Sequence, residues 1–138
     1  MRILIILLTI LISIYTTTAE EITGPCKHGG DQNQCRFLYN TVTKKLTISG
    51  TGNMPEYGAY VEHNTLGRPY YKYKDGIETA EVTNGITSIS SYSFHSCPKL
   101  KKIIIGKDVQ KIGKEVFSFC SSLQEISVDE QNQHFVVA

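Results

Sequence analysis

The sequence predicts a β-rich α/β solenoid: a short right-handed coil with a parallel sheet, preceded by a β-hairpin N-terminal cap. Three observations predict it. A shift of 23 residues superposes the apolar positions of the second half of the chain. The block before that repeat has a different composition, with two strand signals and a turn between them. The chain opens on an apolar leader and carries two closely spaced cysteines soon after it, the usage of an oxidising compartment.

Residues 1–19 form the leader. Arg2 is its basic start, and Ile3 to Ile14 is an apolar run broken only by Thr9 and Ser13. Thr17-Thr18-Ala19 offers small residues for cleavage. A membrane anchor needs about 20 apolar residues, so cleavage after Ala19 is expected and no later segment could span a bilayer. The chain has 14 basic and 13 acidic residues, and loss of Arg2 with the leader balances them. A neutral domain lacks the basic excess that displaces counterions from nucleic acid, so that partner class is excluded.

Residues 20–76 are expected to form the cap. Cys26 and Cys35 read as a disulfide, worth roughly 2–3 kcal/mol for a loop of this length. A zinc site is the rival, but His28 is the only nearby nitrogen ligand and a fourth ligand is missing. No metal or cofactor is expected. Arg36–Tyr39 and Lys45–Ser49 are strand signals joined by Asn40–Lys44, which reads as a hairpin. Gly50-Thr51-Gly52-Asn53 is the expected turn after it. No Lys-Ser/Thr pair follows, so it is no phosphate loop. Tyr57 to Pro69 looks irregular. Tyr70-Tyr71-Lys72-Tyr73-Lys74 alternates as a strand would, leading into the first repeat; a sugar or peptide platform is the functional alternative.

Residues 77–138 hold the repeats, two complete and a third truncated. Ile77 falls on Leu100 and Leu123, Ala80 on Ile103 and Ile126, and Val82 on Ile105 and Val128. Ile86 meets Val109, Ile89 meets Ile112, Phe94 meets Phe117, and Cys97 meets Cys120. Leu100-x-x-Ile103-x-Ile105 is a short strand with alternate side chains turned inward. Gly106-Lys107-Asp108 breaks it, and Val109 and Ile112 return to the core. Glu115–Cys120 is expected to close the coil as one helical turn. Phe94 and Phe117 should stack inside; Phe117→Ala would cost ~3–5 kcal/mol if that rung is buried. Cys97 and Cys120 are expected as buried free thiols whose side chains point the same way into the core. One unit cannot bury its own apolar face, so each packs on the next.

The strings Gly85-Ile-Thr-Ser-Ile-Ser-Ser-Tyr-Ser-Phe-His-Ser-Cys-Pro-Lys-Leu100 and Ile112-Gly-Lys-Glu-Val-Phe-Ser-Phe-Cys-Ser-Ser-Leu123 resemble the 23-residue repeats of the BspA-like leucine-rich-repeat family. Lys45-Leu-Thr-Ile-Ser-Gly-Thr-Gly-Asn-Met54 is similar to the segment before the first repeat in many members. The resemblance implies a secreted or surface-displayed recognition protein, often an adhesin, with no catalytic residues. Protein or glycan ligands are then expected on the outward positions of the sheet. These are Thr79, Lys102 and Glu125 in one row, and Glu81, Ile104 and Ser127 in the next. Thr83, Gly106 and Asp129 make the last row, with Ile104 as the apolar centre. A structural coat or matrix component with no specific ligand is the alternative.

The four histidines share no spacing and no nucleophile has an elbow motif beside it, so catalysis is not expected. Six lysines crowd the second repeat, and Glu125, Asp129 and Glu130 one turn on are expected to offset them. The equivalents of Phe117 and Cys120 in the third repeat fall beyond Ala138. Self-association through the Leu123–Phe135 face is the expectation that follows.

Overall fold

A computed structural model describes residues 18–27, 34–57 and 67–135. The expected leader lies almost wholly outside the described residues, as does His28. Among the described residues, nine strands form two sheets. β1 (Glu21–Pro25), β2 (Arg36–Asn40) and β3 (Lys45–Ser49) run antiparallel in order; β5 (Thr79–Val82), β7 (Lys102–Ile105) and β9 (Glu125–Val128) then add in parallel beside β3. A second, smaller parallel sheet joins β4 (Gly52–Asn53), β6 (Ile86–Ile89) and β8 (Lys111–Ile112).

The parallel register is the one the 23-residue shift demands. Ala80 lies against Ile103 and Ile126, and Val82 against Ile105 and Val128. Alternate residues of each strand turn inward. Ala80, Val82, Ile103 and Ile105 are buried, together with Ile77, Leu100, Ile86, Ile89 and Val109. Burial weakens along the stack: Leu123 and Val128 are half-buried and Ile126 is 40% exposed. Phe94 and Phe117 stack with centroids 6.1 Å apart and planes 11° from parallel. Phe94 is fully buried while Phe117 is half-buried, so the full ~3–5 kcal/mol truncation cost belongs to Phe94.

The coil closes without helix, contrary to the α/β expectation. Glu115 and Phe119 have φ of 49° and 60°, and Tyr92 and Ser96 one coil earlier have 62° and 57°. A left-handed residue every four positions rules out a run of i→i−4 bonds. The amides bond to the neighbouring coil instead: Tyr92 N–H to Lys114 O at 3.0 Å, Phe94 N–H to Val116 O at 3.1 Å and Ser96 N–H to Ser118 O at 2.8 Å.

Gly50 to Asn53 is only half a turn. Gly52 N–H donates to Gly85 O at 2.9 Å and Met54 N–H to Ser88 O at 3.1 Å, so Gly52 and Asn53 open the second sheet. Gly85 must be glycine: its φ is +97°, and a Cβ there would lie 2.4 Å from Gly50 O. Lys45 to Met54 is therefore a coil in its own right, with the strand of one sheet followed by the strand of the other.

The tyrosine cluster is a 3-10 helix, Pro69–Tyr73, rather than a strand. Pro69 suits the first helical position because it needs no amide partner there. The i→i+3 bonds Tyr71 N–H to Arg68 O (2.9 Å) and Lys74 N–H to Tyr71 O (3.0 Å) hold it. This splits the rings among three surroundings. Tyr70 is buried against Phe37 and Tyr57, its hydroxyl donating to Ser93 O at 3.2 Å. Burial pushes that phenol up to about 12. Tyr73 stacks on Tyr39 at 5.1 Å. Only Tyr71 faces outward, beneath Arg68 and Lys74.

Cys26 and Cys35 form a disulfide. Cys26 N–H donates to Cys35 O at 3.0 Å, and the Tyr57 hydroxyl donates to Cys26 O at 2.9 Å. The bridge thereby fastens β1 and β2 to the buried Tyr57.

Candidate functional site

The outward residues of the larger sheet line up across all six strands. One row runs Glu21, Asn40, Lys45, Thr79, Lys102, Glu125; the next runs Thr23, Leu38, Thr47, Glu81, Ile104, Ser127. The six grid residues read from the sequence, Thr79, Glu81, Lys102, Ile104, Glu125 and Ser127, thus fall together at one end of a wider face. β3 adds Lys45 and Thr47, which the 23-residue shift does not reach: β3 stands 34 residues before its partner strand. Residues 55–76 separate that first coil from the next, and the antiparallel strands carry no repeat.

Four of the charged side chains on this face are paired within the chain. Lys45 holds Glu81, and Lys102 Nζ lies 2.7 Å from Glu125 Oε1, which also accepts from Ser127 Oγ at 2.6 Å. Those bonds keep the Glu125 carboxyl below the usual carboxylate range, Lys102 first and Ser127 second. Beside the face, Lys101 reaches back to Glu78 at 2.7 Å and lowers its carboxyl likewise. The lysine-rich second repeat is thus met by acids from the coil before as well as the coil after.

Around Ile104 the paired side chains are interleaved with hydroxyls, and Leu38 is a second apolar side chain in the same row. Ile104 is half-buried between Glu81 and Ser127. A shallow depression beside it is lined by Glu81, Thr83, Ile104, Gly106, Ser127 and Asp129. Asn84, also in its lining, is held by its Oδ1 accepting from Lys107 N–H at 2.9 Å.

The tyrosine cluster makes no platform, since two of its rings are used internally. His95 lies edge-on to Phe119 (5.2 Å) and Tyr92 (5.7 Å), with Nδ1 2.8 Å from Ser96 Oγ. Burial and the Arg68 charge hold its imidazole below the ordinary value, against a weaker opposite pull from Glu115. Among the described residues, no three His, Cys, Asp or Glu side chains converge as metal ligands.

A parallel coil of 23-residue units with inward Leu/Ile/Val on its strands is a leucine-rich-repeat architecture. The chain belongs to the family described as BspA type leucine rich repeat region (6 copies), whose model matches residues 62–136. It is similar to a leucine-rich repeat protein of Eubacterium ventriosum, at 30% identity and a TM-score of 0.66, over 81% of this chain and 27% of that one. A leucine rich cell surface protein of Faecalibacterium prausnitzii is 26% identical over 76% of this chain and 32% of its own, with a TM-score of 0.39. The chain therefore spans about a quarter to a third of the length of these two proteins. No curated protein matches it.

Proposed function

We propose that this leucine-rich-repeat chain is a secreted or cell-surface recognition protein that binds a protein or glycan through the outer face of its larger sheet. The observation that carries the reading is the set of ion pairs around Ile104. Glu81, Lys102 and Glu125 beside it are already paired, so a ligand seated on Ile104 meets an apolar anchor flanked by charges that are neutralised within the chain. Secretion is supported by the leader pattern of residues 1–19 and by the Cys26–Cys35 bridge. No helix among the described residues is long and apolar enough to cross a membrane.

The test is capture from a cell-surface extract by the purified protein and two variants. Ile104→Asp should abolish capture while shifting the melting temperature by no more than a few degrees, as expected of an outward site. Ile105→Asp, one residue along and facing inward, should unfold the protein by burying an unpaired carboxylate. Equal destabilisation by both would show that the two faces were misassigned. Capture unchanged by Ile104→Asp would move the ligand elsewhere.

The exposed Ile126 on edge strand β9 favours a second reading, self-association through the Leu123–Phe135 face in a structural assembly. Light scattering over a concentration series separates the two: an adhesive monomer keeps one mass, and a stacking subunit does not.

A further inference from the structure

Two cysteines stand outside the disulfide, on the turns that close the coil. Cys97 is buried and Cys120 is half-buried. The bonds from Phe94 N–H to Val116 O and from Ser96 N–H to Ser118 O set these turns side by side like parallel strands. Equivalent Cα atoms in that arrangement lie about 4.8 Å apart, inside the roughly 4.4–6.8 Å span of disulfide-linked residues. The two thiols are near enough for each to shift the other's titration. Cys120 Sγ donates to Phe94 O at 3.0 Å. Beside the pair is the Arg68 guanidinium, whose two amino groups donate to Ser93 O at 2.9 Å and His95 O at 3.1 Å. A buried, immobilised cation next to two sulfurs favours a thiolate.

We infer that Cys97 and Cys120 are a dithiol switch, closing to a second disulfide by exchange with a low-molecular-weight disulfide such as oxidised glutathione. Cys120 is the attacking sulfur because solvent reaches it, and Cys97 is the resolving one. The chemistry of the pair supports this division. The neighbouring Cys97 holds the Cys120 thiol below the ordinary cysteine value, whereas Cys120, and then burial, push Cys97 far above it.

In the first step the Cys120 thiolate attacks one sulfur of glutathione disulfide. The glutathione S–S bond breaks, a mixed disulfide forms on Cys120, and one glutathione thiolate leaves and takes a proton from water. Capping Cys120 removes the neighbouring thiol that did most to keep Cys97 protonated. Cys97 then gives its proton to water and attacks Cys120 Sγ. The mixed disulfide breaks, the Cys97–Cys120 bond forms, and the second glutathione thiolate departs. Two protein thiols are oxidised and one glutathione disulfide is reduced to two thiols. The new bond ties the coil of Phe94 to the coil of Phe117 on the side that has only turns.

The experiment treats the protein purified from the medium of cells expressing the full chain with excess glutathione disulfide, followed by intact mass and non-reducing peptide mapping. The wild type should lose two hydrogens, retain no glutathione and yield a Cys97–Cys120 peptide alongside Cys26–Cys35. Cys97→Ser should stop at one glutathione on Cys120, and Cys120→Ser should react at least ten times more slowly. A wild type that retains glutathione on Cys120, with Cys97 still open to alkylation after denaturation, would overturn the proposal. So would a Cys120→Ser variant that reacts as fast as wild type. If either variant does not fold, the wild-type map alone decides.

Discussion

Asn132 separates what the repeat pattern says from what the structure says. The 23-residue period puts it where Val109 stands one coil earlier, so Asn132→Val restores the apolar consensus. On pattern alone the change should be neutral or stabilising. In the structure Asn132 is only 7% exposed, and its amide is fully used. Nδ2 donates to Gly106 O and Val109 O, both at 3.0 Å, and Oδ1 accepts from His134 N–H at 2.8 Å and Phe135 N–H at 2.9 Å. Valine removes all four bonds. At roughly 0.5–1.5 kcal/mol net per bond the loss is about 2–6 kcal/mol. Water reaching the exposed His134 backbone and the burial of two methyl groups recover some of it, leaving about 2–3 kcal/mol. For a domain of this size that lowers the melting temperature by about 10 °C. Calorimetry of wild type and Asn132→Val reads it directly. A variant melting within about 2 °C of wild type, or above it, would refute the idea that this amide closes the last coil.

The Cys26–Cys35 bridge closes a loop of sequence separation 9, so the double Cys→Ser variant should lose roughly 2–3 kcal/mol in urea unfolding. Intact mass of the secreted protein should place its first residue at or near Glu20; a retained Met1 or alkylatable Cys26 and Cys35 would contradict the secretory reading. His95 gives a pH signature. Its imidazole titrates below the ordinary 6.5 in the fold, so the unfolded chain takes up more protons on acidification. The associated stability is intact above about pH 6.5 and is lost as pH falls through the lower folded value. Between pH 7.5 and 5.5 the wild type should therefore lose more melting temperature than His95→Gln, and parallel curves would show that His95 does not report the fold.

The parts that were legible in the sequence are those where side-chain type alone fixes direction. Ala80/Ile103/Ile126 and Val82/Ile105/Val128 face inward because only apolar residues recur there, and that sets the register of β5, β7 and β9. The Arg36–Ser49 hairpin was legible for the same reason. The helix expected at Glu115–Cys120 was not, because left-handed backbone at Glu115 and Phe119 leaves no compositional mark when neither residue is glycine. β1 is short and ends at Gly24-Pro25, a pair that favours a break over a strand. The tyrosines alternate like a strand, but Pro69 and internal partners for Tyr70 and Tyr73 decide for a 3-10 turn. The disposition of the two free thiols depends on turn geometry that spacing cannot supply.

The larger sheet extends beyond the repeat strands, which changes the shape of the proposed face. A coil of parallel strands leaves an open edge at each end. Here β3 resolves one of them by taking β5 in parallel on one side and β2 antiparallel on the other, so the sheet continues where the repeat has stopped. Its inward residues Leu46 and Ile48 are fully buried against the coil, and Phe37 and Tyr39 extend that core under β2. Six strands at about 4.8 Å spacing make a face roughly 24 Å wide, against about 10 Å for the three repeat strands alone. Its midline runs between β3 and β5, through the Lys45–Glu81 pair, and not through Ile104. Ile104 therefore lies toward the β9 side of an asymmetric surface. Thr47, Leu38 and Thr23 continue the row of Ile104 onto the antiparallel strands, so the proposed binding face takes in the cap as well as the repeats.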